Sequence, residues 1–165
     1  MATRFAPLLL LPALLLGGCA ASAAAPQAPS PSDTPDGFPL TLENCGFALT
    51  LDVAPERVVT IKSTSTEMML ALGVGDRIVG TAFQDGPVPA QWADAAAGLP
   101  SLAPKMPNEE SVLAVEPELV YAGWESAFSP DAAGARDELA ALGVASYVQP
   151  AACQSAGQPA RLDFE

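Results

Sequence analysis

The sequence contains no histidine. That removes the side chain that most often acts as a general base near neutral pH, the commonest zinc ligand, and any Ser-His-Asp triad. Its three cysteines form no Cys-x-x-Cys pair, so a thiolate zinc site has no framework either. Basic residues are scarce: 7 Lys and Arg stand against 19 Asp and Glu, a net charge of −12. A phosphate backbone is repelled by such a surface, which argues against nucleic acid as a partner. No apolar run reaches the roughly 20 residues that a transmembrane helix needs. No Walker motif is present, so the chain does not itself hydrolyse ATP. Carboxylates such as Asp85 and Glu125 have no nucleophile or base paired with them in sequence, and the chain reads as a binder rather than an enzyme.

What is there begins at the N-terminus. One positive charge, Arg4, precedes an apolar run from Pro7 to Leu16, followed by the small residues Gly17 and Gly18. Charge, short apolar core and small residues before a cut site describe a secretory signal over residues 1–18. Leu16-Gly17-Gly18-Cys19 resembles a bacterial lipobox. The resemblance implies that Cys19 is lipidated and becomes the first mature residue, anchored by two or three acyl chains of the palmitate type. A single chain holds only marginally. The expected location is the outer face of a cell membrane, with no transmembrane helix in the mature protein. Loss of Arg4 leaves 6 basic against 19 acidic residues, a mature charge of −13.

Residues 20–37 are mostly Ala, Pro, Ser, Gln and Asp, a composition too poor in apolar surface to offset chain entropy, and 19–37 read as a lipidated cysteine with a flexible linker. Residues 38–165 are enough for one small domain with a real core. Outside the cytoplasm disulfides persist, and Cys45 and Cys153 remain after Cys19 is assigned to lipid. They form either a disulfide or two free thiols. A bridge would close a loop of roughly 100 residues, worth about 4.7 kcal/mol in the chain-entropy model.

Along the folded part, Leu40 and Leu42, then Phe47, Leu49, Leu51 and Val53, alternate with polar or small residues around the turn Asn44-Cys45-Gly46, a hairpin pattern. Val58 to Ile61 is a short apolar run consistent with a buried strand. Thr64-Ser65-Thr66-Glu67 has the form of a capping box, leading a helix that Gly73 ends. Arg77 to Ala82 reads as a second strand. Phe83 to Asn108 carries five prolines and reads as a long loop holding a short helix near Ala90 to Ala97. Asn108 caps a helix from Glu109 to Val115, with both acids in the first turn. Leu119 to Gly123 is a third strand, Asp131 to Leu142 a helix ended by Gly143, and Ala145 to Gln149 a fourth strand.

The order is a β-hairpin followed by βαβαβαβ, which predicts an α/β fold with a parallel sheet and flanking helices. In such sheets ligands bind beyond the carboxyl ends of the strands. Four places qualify: Lys62-Ser63-Thr64, Phe83-Gln84-Asp85, Trp124-Glu125-Ser126, and Pro150 to Cys153. If the second hairpin strand runs antiparallel to the first core strand, Cys45 and Cys153 share that end of the sheet.

Three stretches carry a family resemblance: APERVVTIKSTSTEMMLALGVGDRIVGTA, NEESVLAVEPELVYAGWES and RDELAALGVASYVQP, all in order. They resemble the N-terminal lobe of class III ABC-transporter substrate-binding proteins, the cobalamin and ferric-siderophore type. Ile61 to Glu67, Phe83 to Pro87, Tyr121 to Ser126 and Pro150 to Cys153 are also similar to actinobacterial proteins regarded as binders of a deazaflavin coenzyme precursor. The resemblance implies a solute-binding component of an ABC importer, with a small anionic aromatic ligand and a permease as partners; no cofactor or metal is expected. The alternatives are a corrinoid or ferric-siderophore binder, or a non-functional truncated lobe. Class III proteins hold ligand between two lobes. This sequence stops at Leu162-Asp163-Phe164-Glu165, where the first lobe of such proteins ends, so the expectation is one lobe with the second absent, either because the sequence is a fragment of a longer protein or because the gene is truncated.

The candidate ligand residues follow. Lys62, with Ser63 and Thr64 at a helix start, would attract a phosphate or carboxylate. Trp124 offers an aromatic face to a flat ring, with Glu125 and Ser126 at its rim. Phe83 and Gln84 follow the second strand, although Asp85-Gly86-Pro87 is equally explained as a turn. Lys105 ends the proline-rich loop. The resemblance implies that Glu110 docks onto arginines of the permease; it is also a first-turn acid favourable to the helix dipole.

Overall fold

The computed structural model describes residues 37–153. The expected signal segment, Cys19, most of the linker and the C-terminal residues 154–165 lie outside the described residues. Strands β1 (Leu40–Asn44) and β2 (Phe47–Leu51) form an antiparallel hairpin with Leu42 opposite Leu49. Its two-residue turn places Cys45 at φ 52° and Gly46 at φ 74°, the paired positive φ that matches the twist of a tight hairpin.

The second sheet is parallel and five-stranded: β3 (Val58–Ile61), β4 (Ile78–Ala82), β5 (Ser101–Ala103), β6 (Leu119–Ala122) and β7 (Ala145–Val148), in the order β5-β4-β3-β6-β7. Helices α1 (Ser63–Ala71), α2 (Ala93–Ala96), α3 (Glu109–Leu113) and α4 (Arg136–Ala141) lie in the crossovers. The chain enters at the centre, winds out through β4 to β5, then returns to place β6 on the other side of β3. The winding direction therefore reverses between β3 and β6, the switch point at which open α/β sheets bind ligands.

All four residues of β3 are buried, as a central strand requires. Val59 and Ile61 join Val120, Ala122, Val112 and Leu139 on one face, while Val58 joins Met69, Ile78 and Tyr121 on the other. Thr60 is kept inside by a 2.8 Å hydroxyl bond to Thr66 of α1.

The hairpin is tied to this sheet by polar clamps. The Asn44 amide donates to the Val148 carbonyl at 2.8 Å and accepts from the Val148 N–H at 2.7 Å, imitating a strand partner. Arg136 donates to the Asn44 carbonyl at 2.7 Å and the Ser146 carbonyl at 2.8 Å, with the Phe47 ring 4.5 Å from its guanidinium carbon. Burial pushes the Arg136 pKa below its ordinary value, and the charge of Glu125 opposes that shift. A bond joins Cys45 to Cys153, whose Cα atoms are 5.1 Å apart, at the same end of the sheet.

The structure corrects several expected boundaries. The Phe83 to Asn108 segment is more than a loop with a helix, because its residues Ser101–Ala103 add β5 to the edge of β4. Three residues between prolines carry too little periodicity to announce a strand. The capping box does not form: α1 starts at Ser63, Lys62 holds the cap position without a side-chain cap bond, and Thr64 is already helical. Helix α4 starts at Arg136 rather than Asp131, because Gly134 at φ 103° and turn bonds to the Ser129 carbonyl break the segment before it. Helix α3 ends at Leu113, two residues short of Val115, although Asn108 caps it through a 2.9 Å bond from the Ser111 N–H. Gly73, at φ 74°, ends α1 as its position predicts, donating to the Leu70 carbonyl.

Candidate functional site

Lys62 follows β3 directly. Its N–H donates to the Ala82 carbonyl of β4 at 3.0 Å, and its own carbonyl receives the N–H groups of Ser65 and Thr66, so it joins strand to helix without a loop. This junction requires φ 84° and ψ 146°, a conformation that is nearly glycine's alone and costs a side-chain-bearing residue about 1–3 kcal/mol. A lysine held there also buries its side chain, which is 5% exposed.

That side chain ends in a cage. The Lys62 ammonium lies 4.0 Å from the centroid of the Phe83 ring and 3.9 Å from that of Trp124. The two rings meet edge to face, 5.8 Å apart with planes at 79°. Asp85 closes the cage by accepting from the ammonium through Oδ1. Desolvated cation–π contacts are worth about 2 kcal/mol, enough to offset much of the backbone strain. The Asp85 N–H donates to Ser63 Oγ at 2.7 Å, fixing the carboxylate-bearing loop to the start of α1.

Gly123 makes the close approach possible. A Cβ there would stand 2.6 Å from Thr64 Oγ1 and 2.9 Å from Lys62 Cβ, and the Gly123 N–H donates to the Ile61 carbonyl at 2.9 Å. The chain therefore passes β6 into Trp124 hard against Lys62, across the switch point.

Of the residues expected from sequence, Lys62, Ser63, Phe83 and Trp124 meet at the carboxyl ends of β3, β4 and β6. Thr64 is exposed on the first turn of α1 beside Gly123. Gln84 turns back, donating to the Ala82 carbonyl at 3.0 Å. Glu125 and Ser126 lie in a short 3-10 turn after Trp124, half-buried and exposed respectively. Lys105 is exposed beyond β5 and Glu110 is exposed in the first turn of α3. Asp85 falls in the Phe83-Gln84-Asp85 place that the strand-end rule selects, with a turn as its equal explanation; its ion pair with Lys62 depends on two loops meeting and is not legible in local sequence. Asn44 and Arg136, which hold the hairpin end in place, were likewise not legible as partners.

A separate groove of about 400 Å³ runs between β2 and the α4–β7 corner, lined by Leu49, Leu51, Val53, Ala140, Val144 and Ser146 among others. It lies away from the carboxyl-end cluster. Among the described residues no group of three or more Cys, Asp or Glu is placed to hold a metal ion, and no helix is long and apolar enough to cross a membrane.

The doubly wound sheet with its cluster at the switch point is the architecture of periplasmic binding proteins, and the share of each neighbour that is covered fits a single lobe. A periplasmic binding protein from Veillonella parvula superposes with a TM-score of 0.60 at 26% identity, over 68% of this chain and 38% of that one. An ABC-type Fe3+-hydroxamate transport system protein from Saccharomonospora viridis gives 0.59 at 34% identity, over 72% and 41%. No protein-family model matches the chain. Among curated proteins, the cobalamin-binding protein of Halobacterium salinarum is 35% identical over 126 residues, 72% of this chain and 33% of the relative. The uncharacterized ABC transporter substrate-binding lipoprotein YvrC of Bacillus subtilis is 29% identical over 75% of this chain and 38% of its own length. The chain thus spans about a third of the length of the curated relatives it matches, 33% and 38%. Those relatives and neighbours are substrate-binding proteins of transport systems, not enzymes.

Proposed function

We propose that this chain is the solute-binding component of an ABC importer, anchored outside the membrane through lipid on Cys19, and that it captures a deazaflavin coenzyme precursor for delivery to a permease. The observation that carries the reading is the Lys62–Phe83–Trp124–Asp85 cluster at the switch point between β3 and β6. It offers a half-exposed aromatic face where ligands of open α/β sheets bind. Glu110, exposed in the first turn of α3, is assigned to the permease. A second reading, a corrinoid or ferric siderophore, is favoured by the names of the Halobacterium and Saccharomonospora proteins.

The test is equilibrium dialysis of the detergent-extracted native protein against a deazaflavin chromophore, cyanocobalamin, a ferric hydroxamate and haem, with bound material recovered and identified by mass. Recovery of one of them unchanged supports an importer component and names its cargo. Retention of none contradicts the reading.

A further inference from the structure

Lys62 is the cation that sequence alone selects as the group meeting an anionic ligand. The geometry gives it another place. Its ammonium is enclosed by two ring faces and a carboxylate oxygen, and its side chain is 5% exposed. The solvent side of the cluster is made by its neighbours: Asp85 is 50% exposed and Trp124 is 42% exposed. A ligand arriving there meets an indole and a carboxylate before it meets the lysine. An approaching phosphate or carboxylate would face the charge of Asp85 on an already acidic chain. A hydrogen-bond donor would find an acceptor, since Asp85 uses Oδ1 for Lys62 and has a second oxygen to offer.

We infer that Asp85 is a ligand-contacting residue and Lys62 a positioning one, and that the site takes a planar heterocycle which lies on Trp124 and donates an edge N–H to the Asp85 carboxylate. Lys62 braces both partners from beneath: it holds the indole through its buried face and the carboxylate through an ion pair. The 2.7 Å bond from the Asp85 N–H to Ser63 Oγ fixes the loop in the same pose before any ligand arrives. The strained backbone of Lys62 is consistent with this role, because glycine would occupy φ 84° and ψ 146° at no steric cost but would leave the cage empty. The inference rests on reading the carboxyl-end cluster as the ligand site, and it narrows the ligand to rings with a donor edge. A deazaflavin chromophore has one in the imide N–H of its pyrimidinedione ring.

The experiment compares a deazaflavin chromophore with its imide-N-methylated counterpart, which keeps the flat face and loses the donor. Binding to the full chain is read by Trp124 emission in a Trp92→Phe background. The expected result is a preference of about tenfold or more for the unmethylated ring, the usual size of a hydrogen bond to a charged group. Asp85→Asn should reduce that preference to about threefold or less. Lys62→Met should weaken both ligands, and Lys62→Arg should restore part of the loss, which simple loss of packing would not predict. Equal binding of the two rings, or an undiminished preference in Asp85→Asn, overturns the inference. Binding of a corrinoid, ferric hydroxamate or haem with no binding of either deazaflavin also overturns it, while leaving the importer reading intact. Binding of none of these overturns both.

Discussion

The Lys62 ammonium stands 3.9 Å from the centroid of the Trp124 indole, although the two residues lie at the ends of different strands, β3 and β6. Those strands are neighbours in the sheet because the winding reverses between them. The contact therefore exists only once the whole sheet is assembled, and it marks the position where a ligand is expected.

The strain at Lys62 leads to an unusual ranking of variants. Lys62→Ala keeps the positive φ and loses the cation–π contacts together with the packing of the buried stem, so it should lose about 2 kcal/mol or more. Lys62→Gly loses the same contacts but is released from about 1–3 kcal/mol of strain, against about 1 kcal/mol for the freer unfolded chain. Urea denaturation should find Lys62→Gly at least as stable as Lys62→Ala. A glycine variant clearly less stable than the alanine one would contradict the account of that backbone.

Gly123→Ala places a methyl group 2.6 Å from Thr64 Oγ1 and 2.9 Å from Lys62 Cβ. Neither neighbour is the far end of a long side chain, so β6 or α1 must shift. The expected cost is about 1–3 kcal/mol in chemical denaturation, with an altered Trp124 emission. An alanine variant with unchanged stability and spectrum would show that the two elements are less tightly apposed than described.

The Cys45–Cys153 bond spans a sequence separation of 108. Closing a loop of that order removes about 4.7 kcal/mol of unfolded-state entropy, and measured values are more often about 2–4 kcal/mol. Reduction, or replacement of both cysteines by serine, should lower stability by that order. The Asn44 and Arg136 clamps should hold the hairpin in the native state, so the reduced protein should keep a cooperative transition.

Tyr121 is held above its ordinary pKa of 10.0, first by burial and second by the neighbouring Tyr147. Above pH 10 the unfolded chain therefore releases this proton before the folded one does, and stability falls as pH rises through that range. Below pH 10 both states keep the proton and no dependence arises from this group. Tyr121→Phe should flatten the alkaline decline measured by urea titration between about pH 9 and 11.

Local signals made much of the fold legible. The turn at Cys45-Gly46, the apolar run from Val58 to Ile61, Asn108 as a cap and Gly73 as a helix end all depend on neighbours in sequence, and all four stand as read. The edge strand Ser101–Ala103 was not legible because three residues carry no period. The capping box at Thr64 failed because β3 runs into α1 through Lys62, a junction set by tertiary packing and not by helix-start preference. At the site, positions after strands were predictable from the α/β rule. What each side chain does there was not, since the enclosure of Lys62 by Phe83, Asp85 and Trp124 joins three separate segments.

The central claim is that ligand binds on Trp124 at the switch point. The most direct measurement is a fluorescence titration of the full chain carrying Trp92→Phe, so that Trp124 alone reports, with whichever small molecule the dialysis panel retains. The account predicts a saturable change in Trp124 emission and an affinity about tenfold or more weaker in Trp124→Leu, in keeping with the loss of a stacking contact at a binding centre. A ligand that binds without altering Trp124 emission, and binds Trp124→Leu as tightly as the parent, would contradict it.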